Sequence, residues 1–175
     1  MFDSDKVMNV ILYIITHLKR TDMHKVFKIL YFSDREFLYK YGHTITGDSY
    51  IAMEAGPVPS KIYDICKIIR GDSYTKDTNN LSRYFRIESW MYLHAILQPD
   101  MDYIALSEKE VIDFCIRTYG DLSYDEIKEK SHDIAWRSTA RDYPISLENI
   151  ARESGMNDDE VAYISEMNAL QIKFS

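Results

Sequence analysis

Histidines and cysteines carry the widest chemistry in this sequence, because imidazoles and thiolates bind metals and act as bases or nucleophiles. Their spacing matches no HxxxH, HExxH or CxxC motif, and the chain has no phosphate loop, GxGxxG or GxSxG motif. Cys66 and Cys115 each lie among apolar residues, where a thiol stays protonated, so we interpret both as buried free thiols. We therefore expect no catalytic residue, no metal and no cofactor. We predict that the protein is not an enzyme, and a small hydrolase stays only as a residual alternative.

The stretch from Lys28 to Asp64 organises the rest of the chain. Its apolar spacing predicts a central helix that starts at Thr21 or Asp22 and ends at Gly42. Asp34 falls on the buried face of that helix, where a carboxylate needs hydrogen-bond donors, and we expect a tyrosine or turn amides to supply them. A short strand follows over residues 50–54. The sequence GPVP then predicts a corner that ends the strand, with Ser60 capping a third helix.

The remaining elements predict a mostly helical α+β domain. An apolar stripe from Val7 to Leu18 indicates a first helix that ends near Lys19 and Arg20. Segments 83–87, 91–97 and 102–105 are typical of short strands and suggest an antiparallel meander, a small sheet of about three short strands. Further helices are expected over residues 107–119 and 123–138, and two short ones at residues 146–154 and 158–172.

The charge of the chain is uneven. Residues 1–99 carry 13 Lys and Arg against 11 Asp and Glu, whereas residues 100–175 carry 8 against 17. An acidic surface repels nucleic acid and suits a basic partner, and the 14 tyrosines suit either a contact surface or the edge of a core. The N-terminus lacks signal-peptide features, and the longest apolar run is too short to span a bilayer. We therefore expect a cytoplasmic protein without membrane contact.

The C-terminal sequence LENIARESGMNDDEVAYI has features of a helix-turn-helix. Ala151, Gly155 and Val161 match the small residue, turn glycine and core aliphatic of two tightly packed helices. This pattern supports one alternative function, a DNA-binding transcriptional autoregulator. The second helix would open with the acidic segment 157–160, which opposes phosphate binding. We therefore interpret the segment as a helical hairpin that does not bind DNA.

Two sequence blocks, KILYFSDREFLYKYG and ITGDSYIAMEAGPVPSKIYD, resemble the SocA-like antitoxin family, whose domain is called Panacea and which includes phage-associated GepA-like proteins. The likeness continues more weakly in LSEKEVIDFCIRTYGDLSYDEIKEKSH and in the following AW, so it covers about residues 11–136. A turn at Asp142-Tyr143-Pro144 marks the best boundary. We therefore expect a Panacea domain over residues 1–142 and an appended helical hairpin over residues 143–175.

The resemblance implies an antitoxin that neutralises a cognate toxin by direct protein–protein binding. One branch of the family is thought to act as an adaptor that delivers its toxin to a AAA+ protease. The family has no agreed catalytic residues, which agrees with the absence of catalytic motifs in this sequence. Some members occur near phage genes, so the resemblance also implies a phage or prophage context.

We expect toxin contact around the Gly-Pro corner, at Arg35, Tyr50, Glu54, Tyr63 and Asp64. The alternative is that these residues maintain the fold of the motif, because Tyr50 and Glu54 share a strand face and Tyr63 follows the corner by one helical turn. Structural roles are expected for Asp34, Gly47, Asp48, Gly56, Pro57, Pro59 and Trp136.

Overall fold

The chain forms eight helices and five short strands across residues 2–173, the part that the computed structural model describes, with side chains as far as Leu170. The helices are α1 (Ser4–His17), α2 (Met23–Tyr41), α3 (Ser60–Arg70), α4 (Leu106–Tyr119), α5 (Tyr124–Ser131), α6 (Ile134–Arg137), α7 (Leu147–Glu153) and α8 (Asp158–Lys173). The strands are β1 (Tyr50–Met53), β2 (Gly56–Pro59), β3 (Phe85–Glu88), β4 (Tyr92–Ala95) and β5 (Pro144–Ile145). This architecture confirms the predicted α+β class, mostly helical with small antiparallel sheets.

Helix α2 is the centre of the fold. It packs against α1, α4, α5, α7 and β2, and 13 of its 19 residues are buried. The side chain of Asp22 caps its start by accepting a hydrogen bond from the Lys25 amide at 3.0 Å. Gly42 ends it in the left-handed conformation, with φ of 78°. Both predicted ends of this helix are confirmed.

Helix α1 is buried on more sides than the predicted stripe. Every residue from Val7 to Ile15 is buried, because α2, α4, β4 and a short 3-10 turn at Met101–Tyr103 all pack on it. The helix ends at His17, so the expectation that it reaches Lys19 and Arg20 is wrong. The chain leaves the helix there to lie beside β4, where the Leu93 amide donates to the Thr21 carbonyl at 2.9 Å.

The first sheet has the order β2-β1-β5, and all its pairs are antiparallel. The expectation that Gly56–Pro59 only breaks the strand is wrong, because these residues form β2 and pair with β1 in a hairpin. The N–H and C=O of Ala52 form hydrogen bonds with Tyr143 and Asp142, on the side of β1 that faces β5. Pro57 lies opposite Ala52 in the β1–β2 pair, so its nitrogen points away from β1. Proline is tolerated here because β2 is an edge strand, where a missing N–H removes no ladder bond.

The second sheet is the two-stranded hairpin β3–β4. The predicted third strand of this meander, residues 102–105, is wrong, because the chain forms a 3-10 turn there. The side chain of Asp100 accepts from the Asp102 amide at 3.0 Å and so favours a tight turn over an extended strand. The three-stranded sheet is therefore built from segments 50–53, 56–59 and 144–145 instead.

The predicted helix over residues 123–138 is broken in two. Helix α5 ends at Ser131, and His132 leaves the helical conformation with ψ of 49°. Asp133 then caps α6 by accepting from the Trp136 amide at 3.0 Å. The break frees the Asp133 side chain to reach α2, as described below.

The C-terminal segment closes onto the rest of the chain. Strand β5 pairs with β1, and α7 packs against α2, α6 and α8. Ala151 and Val161 are buried between elements, and Gly155 takes φ of 102° in the turn between α7 and α8, so the two predicted helices are confirmed. The division at residues 142/143 stays a prediction. Within residues 2–173, no helix has both the length and the apolarity needed to cross a bilayer.

Candidate functional site

Asp34 is a buried anchor between α2 and the first sheet. Its carboxylate accepts hydrogen bonds from the amides of Ile45 and Thr46, at 2.7 and 3.0 Å, from the Tyr50 hydroxyl at 2.7 Å, and from the Thr46 hydroxyl. Burial raises the pKa of Asp34, while these donors oppose that shift. Both expected kinds of donor, a tyrosine and turn amides, are therefore present, and all the visible contacts of this carboxylate are internal.

Arg35 points into a second polar cluster, centred on Asp133. A single oxygen of Asp133 accepts from the Tyr31 hydroxyl at 2.7 Å and from the Arg35 guanidinium at 3.1 Å. The guanidinium also lies 5.1 Å from the centre of the Phe32 ring, and the Arg35 side chain is 13% exposed. The sequence analysis did not identify Asp133. An aspartate directly before the short helical run IAWR is an N-cap signal that could have found it.

Lys28 lies under the β1–β2 turn and is fully buried. Its ammonium donates to the Pro57 carbonyl at 2.8 Å, and burial lowers the pKa of Lys28 to about 7. Gly56 makes this approach possible: it has φ of 99°, and a Cβ there would lie 2.4 Å from the Ser131 hydroxyl and 3.0 Å from the Lys28 nitrogen. The position therefore requires glycine for two separate reasons, conformation and space.

Trp136 holds the outer side of the same turn. Its indole N–H donates to the Met53 carbonyl at 2.9 Å, and its ring stacks on His132 with centroids 3.7 Å apart. Trp136 lines a shallow cleft of about 230 Å³ together with Glu54 and Arg141, which form an ion pair at 2.8 Å. The lining includes one acid and two arginines, of which Arg137 is the second, and all three charged side chains form ion pairs.

Asp48 caps helix α3 from a distance. Its two carboxylate oxygens accept from the amides of Lys61 and Ile62 at 3.1 and 2.9 Å. The expectation that Ser60 caps this helix is wrong, because no side chain caps α3 from the position before it and Asp48 supplies the acceptors instead. Gly47, with φ of 63°, turns the chain so that Asp48 reaches the helix.

The five residues expected to contact a toxin do not form one surface. Tyr50 is 1% exposed and bonded to Asp34, and Arg35 is engaged with Asp133. Tyr63 is half-buried, with its ring edge-on to Phe27 at 6.0 Å. Glu54 lies just after β1 with a side chain that is 75% exposed, and Asp64 is 62% exposed and paired with Lys67. Toxin contact at these five residues stays a prediction, and Glu54 and Asp64 are the two whose side chains are mostly exposed.

Both cysteine thiols are buried. Burial raises the pKa of both Cys66 and Cys115 to about 12, so neither is a thiolate at neutral pH. Across the described part of the chain, no three His, Cys, Asp or Glu side chains gather in a group that could hold a metal ion.

One exposed feature is the turn of the β3–β4 hairpin. Ser89 and Trp90 both have positive φ, 48° and 65°, which costs an ordinary L-residue about 1–2 kcal/mol. The Trp90 side chain is 68% exposed, and its carbonyl accepts from Arg70 at 2.8 Å. The turn therefore exposes a large aromatic side chain, and the hydrogen bond from Arg70 holds its backbone in place.

A second exposed feature is the outer face of α8. Tyr163, Met167 and Leu170 are 60%, 40% and 43% exposed, and they recur at i, i+4 and i+7. The sequence analysis missed this stripe because Val161 and Ile164, which are buried, have helical spacing too. The acids Asp159 and Glu166 on the same side of the helix were the available signal that this face meets water.

Comparison with known proteins identifies a family. A family model described as "Antitoxin SocA-like, Panacea domain" matches residues 26–137, well over half of the chain. No curated protein and no solved structure matches. The matched span runs from α2 to α6, so it contains the Asp34 anchor, the β1–β2 hairpin and the β3–β4 hairpin, and leaves α7 and α8 outside. The chain belongs to the SocA-like antitoxin family that is defined by the Panacea domain.

Proposed function

We propose that the protein is an antitoxin that neutralises a cognate toxin by direct protein–protein contact. The observation that carries this proposal is membership of an antitoxin family over residues 26–137. That membership favours a non-enzymatic role and a toxin as the kind of partner. The buried polar groups described above serve internal contacts, which supports a binding role for the surface.

Two surface properties support direct contact. Large aromatic and apolar side chains such as Trp90, Tyr163 and Ile134 are each at least 60% exposed, and aromatic side chains are the residues that contribute most at protein interfaces. Residues 100–175 carry 8 basic against 17 acidic side chains, which suits a basic partner surface. The toxin that this surface fits is therefore a protein with a positively charged, partly apolar face.

Co-expression with each flanking reading frame tests the proposal. One neighbour is expected to stop growth alone and to be harmless when the chain is co-expressed, and a pull-down then recovers the two proteins together. The matched control is a copy of the gene with an early stop codon, which keeps the RNA and removes the protein. Rescue by that control, or the absence of a toxic neighbour, contradicts the proposal.

The fate of the toxin separates simple blocking from delivery to a AAA+ protease. We propose blocking by contact as the core activity, with the adaptor role as an addition to it. If the protein only blocks, the half-life of the toxin is unchanged or longer when the chain is present. A shorter half-life that requires an ATP-dependent protease indicates the adaptor role.

A DNA-binding autoregulator is the second candidate, and the α7–α8 pair with its glycine turn is the feature that favours it. The opening residues of α8, Asp158, Asp159 and Glu160, are exposed acids, and these oppose binding to phosphate. A gel shift with the promoter region of the gene at low salt is therefore expected to show no complex. A shifted band that is lost as salt rises would favour the regulator instead.

A further inference from the structure

Helix α8 has two apolar faces, and their centres lie about 120° apart around the helix axis. At 100° per residue, Val161 and Ile164 lie on one side, and both are 3% exposed. Tyr163, Met167 and Leu170 fall within about 60° of one another on a second face, and they are 40–60% exposed. The first face packs against the body of the protein, where a Cβ on Gly42 would meet Ile164 at 3.4 Å. Among the described residues, none of the three on the second face belongs to the apolar core or to the apolar residues packed on it.

The outer face is not needed to hold the helix in place. Packing of α8 against α7, the Ser165 hydroxyl bonded to Glu148 at 2.9 Å, and the Asn157 cap already anchor it. Three large apolar side chains at helical spacing leave apolar area exposed to water, and the exposed area adds nothing to the stability of the fold. Such a stripe is typical of a helix that docks into a groove of another protein.

The charges around the stripe identify its partner. Between Asp158 and Leu170 the helix carries four acids and no lysine or arginine. Asp159 and Glu166 lie about 45° and about 65° from the centre of the apolar stripe, from the helical pitch, and both are exposed. Among the described side chains, neither forms an ion pair. A partner that covers the apolar residues must therefore meet this negative charge with basic groups.

The same charges disfavour the other occupants. In a symmetric dimer through this face, the acids of one copy would lie against the acids of the other, and nucleic acid would be repelled in the same way. The Trp90 turn does not select a partner by charge, because Arg70 pairs with Asp72 there and Arg86 pairs with Glu88 at 2.6 Å. The outer face of α8 combines an apolar stripe with exposed acids, and this combination favours a partner with a basic surface.

We propose that the outer face of α8, defined by Asp159, Tyr163, Glu166, Met167 and Leu170, is the docking site for the toxin, through a basic surface with an apolar groove. This inference rests on the proposed antitoxin function. It assigns partner contact to a segment outside the matched span, so the family domain acts as the scaffold and α8 acts as the determinant of this chain's own partner.

The test uses the full chain and, as the probe, the flanking gene product that the growth assay identifies as toxic. One variant removes the apolar stripe (Tyr163→Ser with Leu170→Ser), and another reverses the charge (Asp159→Lys with Glu166→Lys). Helix α4 offers a matched control, because Glu110 and Phe114 are also an exposed acid and aromatic four residues apart. The controls are therefore Glu110→Lys and Phe114→Ser.

Both α8 variants are expected to lose growth rescue and to bind the toxin at least about tenfold more weakly, whereas the α4 controls keep wild-type affinity. The affinity of the wild type falls as salt rises, and the charge-reversal variant removes most of that dependence. Circular dichroism and urea unfolding of each variant check that the fold is intact, so that lost binding is not lost structure.

The outcomes separate the two proposals. If the wild type rescues growth and both α8 variants bind as tightly as it does, the docking site is wrong and the antitoxin function stands. If the wild type binds and rescues against no flanking product, the antitoxin function fails and the docking site fails with it. A wild-type dimer in sedimentation that the apolar variant dissociates would overturn the proposal in favour of a second copy as occupant.

Discussion

The β1–β2 hairpin and helix α8 use their polar and apolar side chains in opposite ways. At the hairpin, Lys28, Asp34 and Trp136 all direct their polar atoms at backbone or side-chain partners inside the chain. On the outer face of α8, Tyr163 and Leu170 contact water, and the neighbouring acids point outward with them. The hairpin lies within the span that the family model matches, and α8 lies outside it.

This difference separates the residues that the fold explains from those that it leaves unexplained. A buried polar group is costly unless it is bonded, so the hairpin residues are explained by the fold that they hold together. An exposed apolar stripe also has a cost, but nothing in the fold offsets it, so its explanation lies with a partner. The following experiments test that division, beginning with the largest expected effect.

Removal of the Asp34 carboxylate is expected to have the largest effect on stability. Asp34→Ala leaves the amides of Ile45 and Thr46 and two hydroxyls buried without an acceptor, and breaking such a buried charged group costs about 3–5 kcal/mol. Urea unfolding measures the loss. Asp64→Ala is the control, since that side chain is 62% exposed, and it is expected to change stability by less than about 0.5 kcal/mol. A similar small change for Asp34→Ala would mean that the anchor is dispensable.

The two faces of α8 are expected to differ sharply in the same assay. Ile164→Ala opens a cavity in the inner face and is expected to cost about 2–4 kcal/mol. Met167→Ala on the outer face removes a side chain that is 40% exposed and is expected to stay within about 0.5 kcal/mol. Equal losses of stability at the two positions would show that the outer face also stabilises the fold, which contradicts the proposed difference between the two faces.

Lys28 predicts a rise of stability with pH. Its pKa is lowered to about 7 in the fold, whereas a lysine in the unfolded chain keeps its ordinary value, 10.5. Between these values the unfolded chain binds more protons, so stability rises by about 1.4 kcal/mol per pH unit, or about 2 kcal/mol from pH 7.5 to 9. Below pH 7 both states are protonated and this contribution is flat.

Lys28→Met is the variant that isolates this effect, because it keeps an unbranched side chain and removes the amine. Urea unfolding at pH 6, 7.5 and 9 is expected to show the rise in the wild type and its absence in the variant. The Lys28 charge contributes to the lowered pKa values of His24 and His132, and both values lie below the ordinary 6.5 of histidine, so the interval from pH 7.5 to 9 is the one that isolates the amine. If the stability of the wild type and of the variant changed with pH in the same way, the pKa of Lys28 would not be lowered in the folded protein.

The two glycines that end tight segments give the smallest expected difference. Gly56 and Gly71 have φ of 99° and 83°, so alanine is strained at both, by about 1–2 kcal/mol. A Cβ at Gly71 meets nothing within 4 Å, whereas at Gly56 it would meet Ser131 and Lys28. Gly56→Ala is therefore expected to cost about 1–2 kcal/mol more than Gly71→Ala in thermal or urea unfolding, from overpacking. Equal losses of stability would mean that Ser131 and Lys28 can move to make room for a Cβ at position 56.

The sequence predicts the elements that depend on local signals. Helix α2 follows from its apolar spacing, the Asp22 cap and Gly42, and the partners of Asp34 follow from the rule that a buried carboxylate must be bonded. These features need only a few neighbouring residues. The α+β class follows from the same kind of information.

The features that the sequence does not predict depend on position in the folded sheet or bundle. Pro57 suggests a break, and only its place on an edge strand permits a strand there. The helical composition of residues 123–138 hides the break at His132. On α8, Val161 and Tyr163 both have helical spacing, and packing alone shows which of them faces inward. The expected contact residues failed to converge for the same reason, since Tyr50 faces the core and Glu54 faces water.

Amide hydrogen exchange of the chain, free and mixed with the toxic flanking product, tests the central claim most directly. Binding slows exchange where the partner covers or stabilises backbone amides. The account predicts added protection across residues 158–170 and no change over residues 50–59, which the fold already protects. Protection confined to residues 50–64, with α8 unchanged, would contradict it and return the binding site to the Gly-Pro hairpin.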